Sequence, residues 1–513
     1  MVYINSEGIG LSHFYDIIYH NEALEIDSNM ISEMEENFQF LKKVSQQEKV
    51  IYGINTGLGP MAQYKINLED QIGLQYNLIR SHAAGSGVPL EFDKVKGAMV
   101  CRLNTLVQAR SGIHPDAVLI LQKLINLNII PLIPQHGGVG ASGDLVQLAH
   151  IALVLIGEGE VFVEGKRLKT QDAFAKFNIS PLQVSLREGL GLINGTSVMT
   201  GVGLINVVES WKLINWAVLM SSMLNEIVRS FSDHYSEELN QAKKHKGQKR
   251  IAKSMSHLLE TSKLIKERSA FPFEQSHNGD VYEQKIQEYY SLRCIPQILG
   301  PVLDTLECSQ KVLINELNSA SDNPIIDHHS KRILHGGNFH GDYISLEMDK
   351  LKLAIIKLSV LSERQTNFLM NPKLNGILPP FVNLGTLGLN LGMQGLQFAA
   401  VSTTAENQAL GSSLYIHSIS NNNDNQDIVS MGTNAALSLA KVIENSFEIL
   451  SVELLSLVQA IEILKIHDQI SKPSREIYDE VRKIIPAFSH DEVMYPKMAE
   501  LQKYMRQKEQ SLI

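Results

Sequence analysis

The sequence predicts a mainly α-helical protein with a central bundle of long helices, on three observations. First, three stretches, 200–230, 346–370 and 434–465, repeat apolar residues at helical spacing, each over roughly seven to nine turns. Second, the segments between helical patterns are rich in glycine and asparagine, and strands do not alternate with helices as a βαβ fold requires. Third, VFVEGKRL at 161–168 is the one clear hairpin signal.

Taken in order, residues 1–50 form a helical lead-in, with EMEENFQFLKKV at helical spacing. Loop residues follow in IYGINTGLGPMAQY (51–64), and helices return over 91–130, ending in the run LINLNIIPLIP. A glycine-rich segment, HGGVGASGD, occupies 136–144. The stretch at 200–230 is apolar on most faces, so it predicts a deeply buried helix, and 346–370 and 434–465 predict the same. Helices of this length run side by side in a bundle or pair across an oligomer interface. No repeat or low-complexity linker divides the chain. The expected organisation is an N-terminal region, 1–200, carrying the glycine loop, and a helical remainder, 201–513, in one catalytic unit. Glycine and asparagine clusters at 52–60, 76–87, 136–150, 189–200, 335–343 and 421–432 are the places where loops on a rigid scaffold would carry chemistry, or else serve as turns and caps.

With 44% hydrophobic and 20% charged residues, the 513-residue chain has ordinary globular composition. A net charge of -9 and a pI near 6.0 call for neither a nucleic-acid nor an anionic-membrane partner. The basic run KKHKGQKR (243–250) reads as a solvated loop or helix face. Three cysteines, Cys101, Cys294 and Cys308, cannot build a disulfide framework and suit a reducing compartment. The opening residues lack a basic and apolar leader, and runs such as IALVLIG are too short to cross a bilayer, so a cytoplasmic location is expected.

Residues 138–143 spell GxGxxG, the dinucleotide-binding fingerprint, with Glu164 near the place of a ribose-binding acid. Pro131 and Pro134 interrupt the supposed strand, and Asp144 would set a negative charge where the pyrophosphate meets the helix N-terminus. A different chemistry resides in Ala141-Ser142-Gly143. The unhindered Gly143 nitrogen could attack the carbonyl of Ala141 in a tight bend. Loss of two waters, one from the serine side chain, would leave an exocyclic methylidene on a five-membered ring, an electrophile no ordinary side chain provides.

The wider segment GGVGASGDLVQLAH (137–150) resembles the signature of the histidine, phenylalanine and tyrosine ammonia-lyases. So do IYGINTGLG, NLIRSHAAG, REGLGLINGTS, YYSLRCIPQILG, SASDNPI, HGGNFHGDYIS and NNNDNQDIVSMG, in family order across roughly residues 50 to 435. The resemblance implies the fumarase/aspartase-like architecture of the aromatic ammonia-lyases. It also implies 4-methylidene-imidazol-5-one (MIO), formed autocatalytically from Ala141, Ser142 and Gly143 with no exogenous cofactor, and a homotetramer with shared active sites.

Ammonia elimination faces a poor leaving group and a weakly acidic β-proton. An electrophile that takes the amine addresses the first, and a positioned base the second. Tyr52 matches the family's catalytic tyrosine. A phenol with a pKa of about 10 needs nearby donors or positive charge to serve as that base. Tyr290 and Arg293 stand one helical turn apart. The resemblance gives Tyr290 the amino-group side of the reaction and Arg293 the substrate carboxylate, which its planar fork suits, with Gln287 one turn back. Asn194 matches the asparagine that supports the MIO carbonyl, although NGTS is also a good helix start. Phe339 matches the phenylalanine packed beside MIO, and Asn425 and Gln426 brace the site. His335 and His340 lack a third clear ligand, so no metal is expected.

The substrate is an amino acid whose ring is less clearly written. Ser81-His82 is a histidine-lyase pair that tyrosine-acting relatives also carry, and Glu406 resembles the histidine-lyase glutamate. NGTS-VMTG (194–201) and DNQDIVSMG (424–432) resemble the tyrosine-acting branch. The expectation is deamination of L-tyrosine to p-coumarate, with histidine deamination to urocanate or tyrosine 2,3-aminomutation as alternatives.

Overall fold

The computed structural model describes residues 1–47, 49–274, 279–282 and 285–509. Helix dominates, at 58%. Helices Ser197–Ile227, Asp342–Met370 and Gly432–Leu464 occupy the three long periodic stretches, and a fourth, Ile295–Leu317, joins them. Ser197–Ile227 meets the length and hydropathy of a membrane span, contrary to the reading of the apolar runs as too short. Its most apolar window is nevertheless 89% buried within the protein, as a core helix would be. Polar side chains along it bond within the protein: Ser222 Oγ donates to Val218 O (2.8 Å) and Asn206 Nδ2 to Ala436 O (2.7 Å).

The β-structure is minor. The hairpin Glu160–Val163 and Lys166–Lys169 turns at Glu164 and Gly165, both at positive φ, as a two-residue hairpin turn demands. Strand Pro134–His136, which precedes the glycine segment, pairs antiparallel with Ser86–Pro89. The GxGxxG segment therefore does not sit in a parallel βαβ unit, and the dinucleotide reading loses its structural context. In the lead-in, helix Ser28–Ser45 starts at Asp27, whose carboxylate accepts the Asn29 N–H (2.8 Å). Its Leu41 and Val44 bury against Ile51, Ile54 and Ile326, which anchors the start of the loop that carries Tyr52.

Two compact units emerge. One comprises Met1–Val208, Ser309–Asp349 and Ser413–Leu439; the other comprises Glu209–Cys308, Lys350–Ser412 and the chain from Ala440. In the first, buried Arg187 makes a two-pronged pair with Asp322 (3.0 Å on each arm) and donates to Asn323 O (2.9 Å). That pairing fixes the SASDNPI segment. In the second, the basic run opens helix Lys246–Leu259, which buries Gly247, Gln248 and Ile251, while Arg250 pairs with Glu307. The run is thus exposed over 243–246 and turns inward at Gly247 and Gln248.

Candidate active site

The tripeptide loop is shaped by glycines where a side chain has no room. Gly143 has φ +71, and a Cβ there would lie 1.9 Å from Gly195 O. Gly140 has φ +76, with Ser430 Oγ 2.0 Å from where its Cβ would be. Asp144 N donates to Gly195 O (2.8 Å), Gly341 N and Ser430 Oγ donate to Gly140 O (3.2 and 3.0 Å), and Met431 N donates to Val139 O (3.0 Å). Segments from three other motifs thus hold one tight bend.

Ser142 is gripped at both of its oxygens. Asn194 Nδ2 donates to Ser142 O (3.0 Å) and Gln426 Nε2 to Ser142 Oγ (2.9 Å). The amide of Asn194 cannot turn over, because its Oδ1 accepts the Asn323 N–H (2.9 Å). Buried Arg102 donates to the Asn194 carbonyl (3.0 Å) and to Gly191 O. A donor aimed at a carbonyl oxygen within the bend is what stabilises charge developing there.

Asp144, fully buried, accepts the N–H groups of Val198 (2.9 Å) and Met199 (2.8 Å) and the Thr433 hydroxyl. It therefore ties the residue after the tripeptide to the first turns of helices Ser197–Ile227 and Gly432–Leu464, where the helix dipole favours a carboxylate. Burial pushes its pKa up to about 6, against the lowering effect of Thr433, Met199, Val198 and Arg102. The folded state thus binds this proton more readily than the unfolded chain. Stability from this group is full below pH 3.8 and falls as pH rises to about 6. Asp144→Asn, which cannot ionise, is expected to flatten that fall by on the order of 1–3 kcal/mol, measured as denaturant midpoints at stepped pH.

Tyr52 is half-buried, and its hydroxyl oxygen accepts the Gly59 N–H (2.9 Å). Its loop is braced by Thr56 Oγ1, which accepts from Gly53 N (3.1 Å) and donates to Gly57 O (2.8 Å). Buried Gln75 spans from Gly53 O (2.9 Å) to Leu190 N (3.1 Å). At the end of helix Gln71–His82, His82 Nδ1 lies 3.0 Å from Leu78 O. Two acceptors would repel at that distance, so Nδ1 carries the proton and Nε2 is left as an acceptor. The Ser81 hydroxyl donates to Leu78 O (3.2 Å).

Tyr52, Ser81, His82, Ser142, Asn194, Phe339, Asn425 and Gln426 line one cavity of about 680 Å³. Leu58, Leu74, Leu78, Leu145 and Leu190 supply its apolar wall. All of these residues lie in the first compact unit. Sequence reading missed Gln75, Arg102, Asp144 as a brace, and the backbone of Asn323. A buried Gln or Arg carries no local signal, although the SASDNPI motif pointed to the neighbourhood of Asn323.

Four expected residues lie in the second unit and do not line that cavity. Tyr290 and Arg293 do share a helical turn, Tyr290–Arg293, with the guanidinium 4.9 Å from the ring centre. Tyr290 is 69% exposed. Arg293 and Gln287 line a separate cavity of about 460 Å³ with Asp233, His234 and Arg268. Exposed Glu406 accepts from Asn445 Nδ2 (2.8 Å).

Glu33, His328 and His329 bring three ligand-type atoms within 4.8 Å of one another. Asn37 argues against metal binding there. Its Oδ1 accepts from Gly112 N (2.8 Å), so its Nδ2, which donates to Ile326 O (2.8 Å), also faces His328 Nδ1 (3.0 Å). His328 Nδ1 is then the acceptor, and Nε2 keeps its proton, directed at Glu33 (3.0 Å). His328 then has no lone pair to give a metal, which leaves Glu33 and His329 as two ligands. His335 and His340 lie outside this cluster.

A helical scaffold that gathers six glycine- and asparagine-rich segments around one backbone bend and a polar-ended cavity has the build of an enzyme. The chain belongs to the aromatic amino acid lyase family, whose sequence model matches residues 9–483. It is 36% identical to a tyrosine 2,3-aminomutase of Chondromyces crocatus, over 96% of this chain and 94% of that one. It is 35% identical to a histidine ammonia-lyase of Bacillus cytotoxicus, with the same coverage. A crystal structure of tyrosine aminomutase from Streptomyces globisporus superposes with a TM-score of 0.93 at 33% identity, covering 98% of this chain and 96% of that one. The chain is therefore an enzyme of the ammonia-lyase and aminomutase group, with the fold that the motifs implied.

Proposed function

We propose that this enzyme eliminates ammonia from L-tyrosine to give p-coumarate. The observation that carries the reading is the meeting of Tyr52, Ser142, Asn194 and Gln426 at a cavity whose ring end offers the free acceptor of His82. A phenol O–H can donate to that Nε2.

The residues present fit MIO. The bend at Gly143 has positive φ and admits no side chain, and donors already face the oxygens of Ser142. Ala141, Ser142 and Gly143 would form the group, with Asn194 holding its carbonyl side. When present, the group supplies an electrophile for the substrate nitrogen, which makes that nitrogen a better leaving group. Tyr52 removes the β-proton, its oxygen held in place by the Gly59 N–H. Phe339 and the leucines exclude water from the ring. His82→Phe is expected to lower kcat/KM for tyrosine by about 10²-fold and to raise it for phenylalanine, because the hydroxyl loses its partner and the wall becomes apolar. Parallel ultraviolet assays with tyrosine and histidine test the substrate itself. Turnover of histidine alone would overturn the tyrosine reading.

Arg293 for the carboxylate, Tyr290 and Gln287 at the amino end, and Glu406 are proposed to reach the cavity from other subunits of a homotetramer, which would explain their absence from its lining. Exposed Tyr290, Phe398 (64%) and Leu389 (76%) suit helices and loops covered in an assembly. Mixing Tyr52→Phe with Arg293→Met chains after joint refolding is expected to restore part of the activity that each homotetramer lacks. No recovery would place both residues in one subunit's site. The region 1–200 is proposed to carry the MIO loop and 201–513 the helical frame, as one catalytic unit without exogenous cofactor or metal. The three unpaired cysteines support a cytoplasmic setting.

A second reading, tyrosine 2,3-aminomutation, is favoured by the names of the Chondromyces and Streptomyces relatives. It shares the early steps, and β-tyrosine among the products would identify it.

A further inference from the structure

Helix Phe92–Leu106 is buried from Val95 to its end, and Arg102 on it is 1% exposed. The Arg102 guanidinium forks onto two carbonyls, Gly191 O and Asn194 O (3.0 Å), at the C-terminal end of the six-residue helix Glu188–Ile193. The two carboxylates whose charge reaches it are engaged elsewhere, Asp322 with Arg187 and Asp144 with Val198, Met199 and Thr433. Burial lowers its pKa to about 10, so the group is still a cation at neutral pH. A cation shut away from water is costly unless dipoles face it, and here the facing dipoles are those two carbonyls. Arg102 therefore holds a helix too short to stand alone, and the peptide after it, in one orientation.

That peptide grips the tripeptide. Asn194 Nδ2 donates to Ser142 O, and Gly195 O accepts the Asp144 N–H. The first contact holds the Ser142–Gly143 peptide and the second the Gly143–Asp144 peptide. Residues 194 and 195 thus set both peptide planes that flank the Gly143 Cα. Gly195, at φ +145, is wedged from behind: a Cβ there would lie 2.6 Å from Arg102 Nη1 and 2.5 Å from Ser321 O.

We propose that Arg102 is a positioning residue for closure of the tripeptide ring, holding residues 194 and 195 where they aim the Gly143 nitrogen at the Ala141 carbonyl carbon. This rests on the MIO reading of Ala141, Ser142 and Gly143. In the step, a bond forms between Gly143 N and Ala141 C. The Ala141 oxygen leaves as water with the N–H protons of Gly143 and Ser142, and a C=N bond joins Ala141 C to Ser142 N. The Ser142 hydroxyl leaves as a second water with the Cα proton, which gives the methylidene. No oxidant or reductant enters.

The test is intact mass followed over time on full-length chains from cell-free translation, for wild type, Arg102→Met and Arg102→Lys, with denaturant midpoints measured beside it. Arg102→Met is expected to shed the two waters about 10²-fold more slowly than wild type, as a misplaced reacting group does. Arg102→Lys keeps the charge without the fork and is expected to fall between them. Ile477→Ala, which removes a buried side chain in the second unit, is expected to lower the midpoint and to mature at the wild-type rate. Ring closure at the wild-type rate in folded Arg102→Met overturns the proposal. Slow closure in Ile477→Ala also overturns it, by making closure follow stability alone. If Arg102→Met does not fold, Arg102→Lys decides: closure slower than wild type supports the proposal, and closure at the wild-type rate overturns it. Failure of both to fold assigns Arg102 to the frame and overturns it too. A wild type that keeps its linear mass removes the MIO reading itself, an outcome distinct from these.

Discussion

Ser142→Ala is expected to lower the elimination rate by roughly 10³-fold or more, equivalent to at least about 4 kcal/mol of barrier. The hydroxyl is what must depart as water for a methylidene to form, and alanine has none to lose. The fold should survive. The bend is held by backbone bonds at Val139, Gly140 and Asp144, and the Asn194 contact goes to the Ser142 carbonyl, which alanine keeps. Only the Gln426 donor loses its partner, at a cost of about 1 kcal/mol or less beside an open cavity. Intact mass provides a second readout. Wild type should be lighter than the linear chain by two waters, and the variant should weigh what its sequence dictates. Fully active wild type of unreduced mass would sink the electrophile.

Tyr52→Phe is expected to cut kcat by about 10²–10⁴-fold, the usual span for a positioned base, with KM for tyrosine little changed. Phenylalanine fills the same space, so the leucine wall and the Gln75 brace stay. The Gly59 N–H loses its acceptor at a half-buried position, where water can replace it. The mass deficit should persist in this variant, which separates loss of proton transfer from failed maturation. A kcat within a few-fold of wild type would remove Tyr52 from the role of base, and a normal linear mass would assign it to forming the tripeptide ring instead.

Much of the fold was legible because long helices advertise themselves. Residues 200–230 are apolar on most faces, which predicts a buried helix, and the ends of Ser197–Ile227 fall within three residues of that stretch. The hairpin at 161–168 was legible for the same reason, through its alternation and its Glu-Gly turn. The hydropathy of Ser197–Ile227 does not separate core from membrane, since an apolar helix in a core and one in a membrane share one composition. Among site residues, Tyr52, Ser142, Asn194, Phe339 and Gln426 were legible through motifs, and the structure gathers them on one cavity. Tyr290, Gln287, Arg293 and Glu406 were legible as types and not as neighbours of that cavity. Helical spacing fixes which residues share a turn, as it does for Tyr290 and Arg293, and says nothing about which distant loop a turn will meet.

The chain's own order of residues determined the family, the helical class and the tripeptide on which the chemistry turns, because periodicity and local motifs are short-range properties. Only tertiary structure decided that Asn194 points its donor at Ser142 and that a GxGxxG string is a braced bend rather than a cofactor loop. Those outcomes depend on hydrogen bonds between residues 50 to 290 positions apart, as in Asn194 with Ser142 and Ser430 with Gly140. A donor's direction is set by whichever acceptor folding brings beside it.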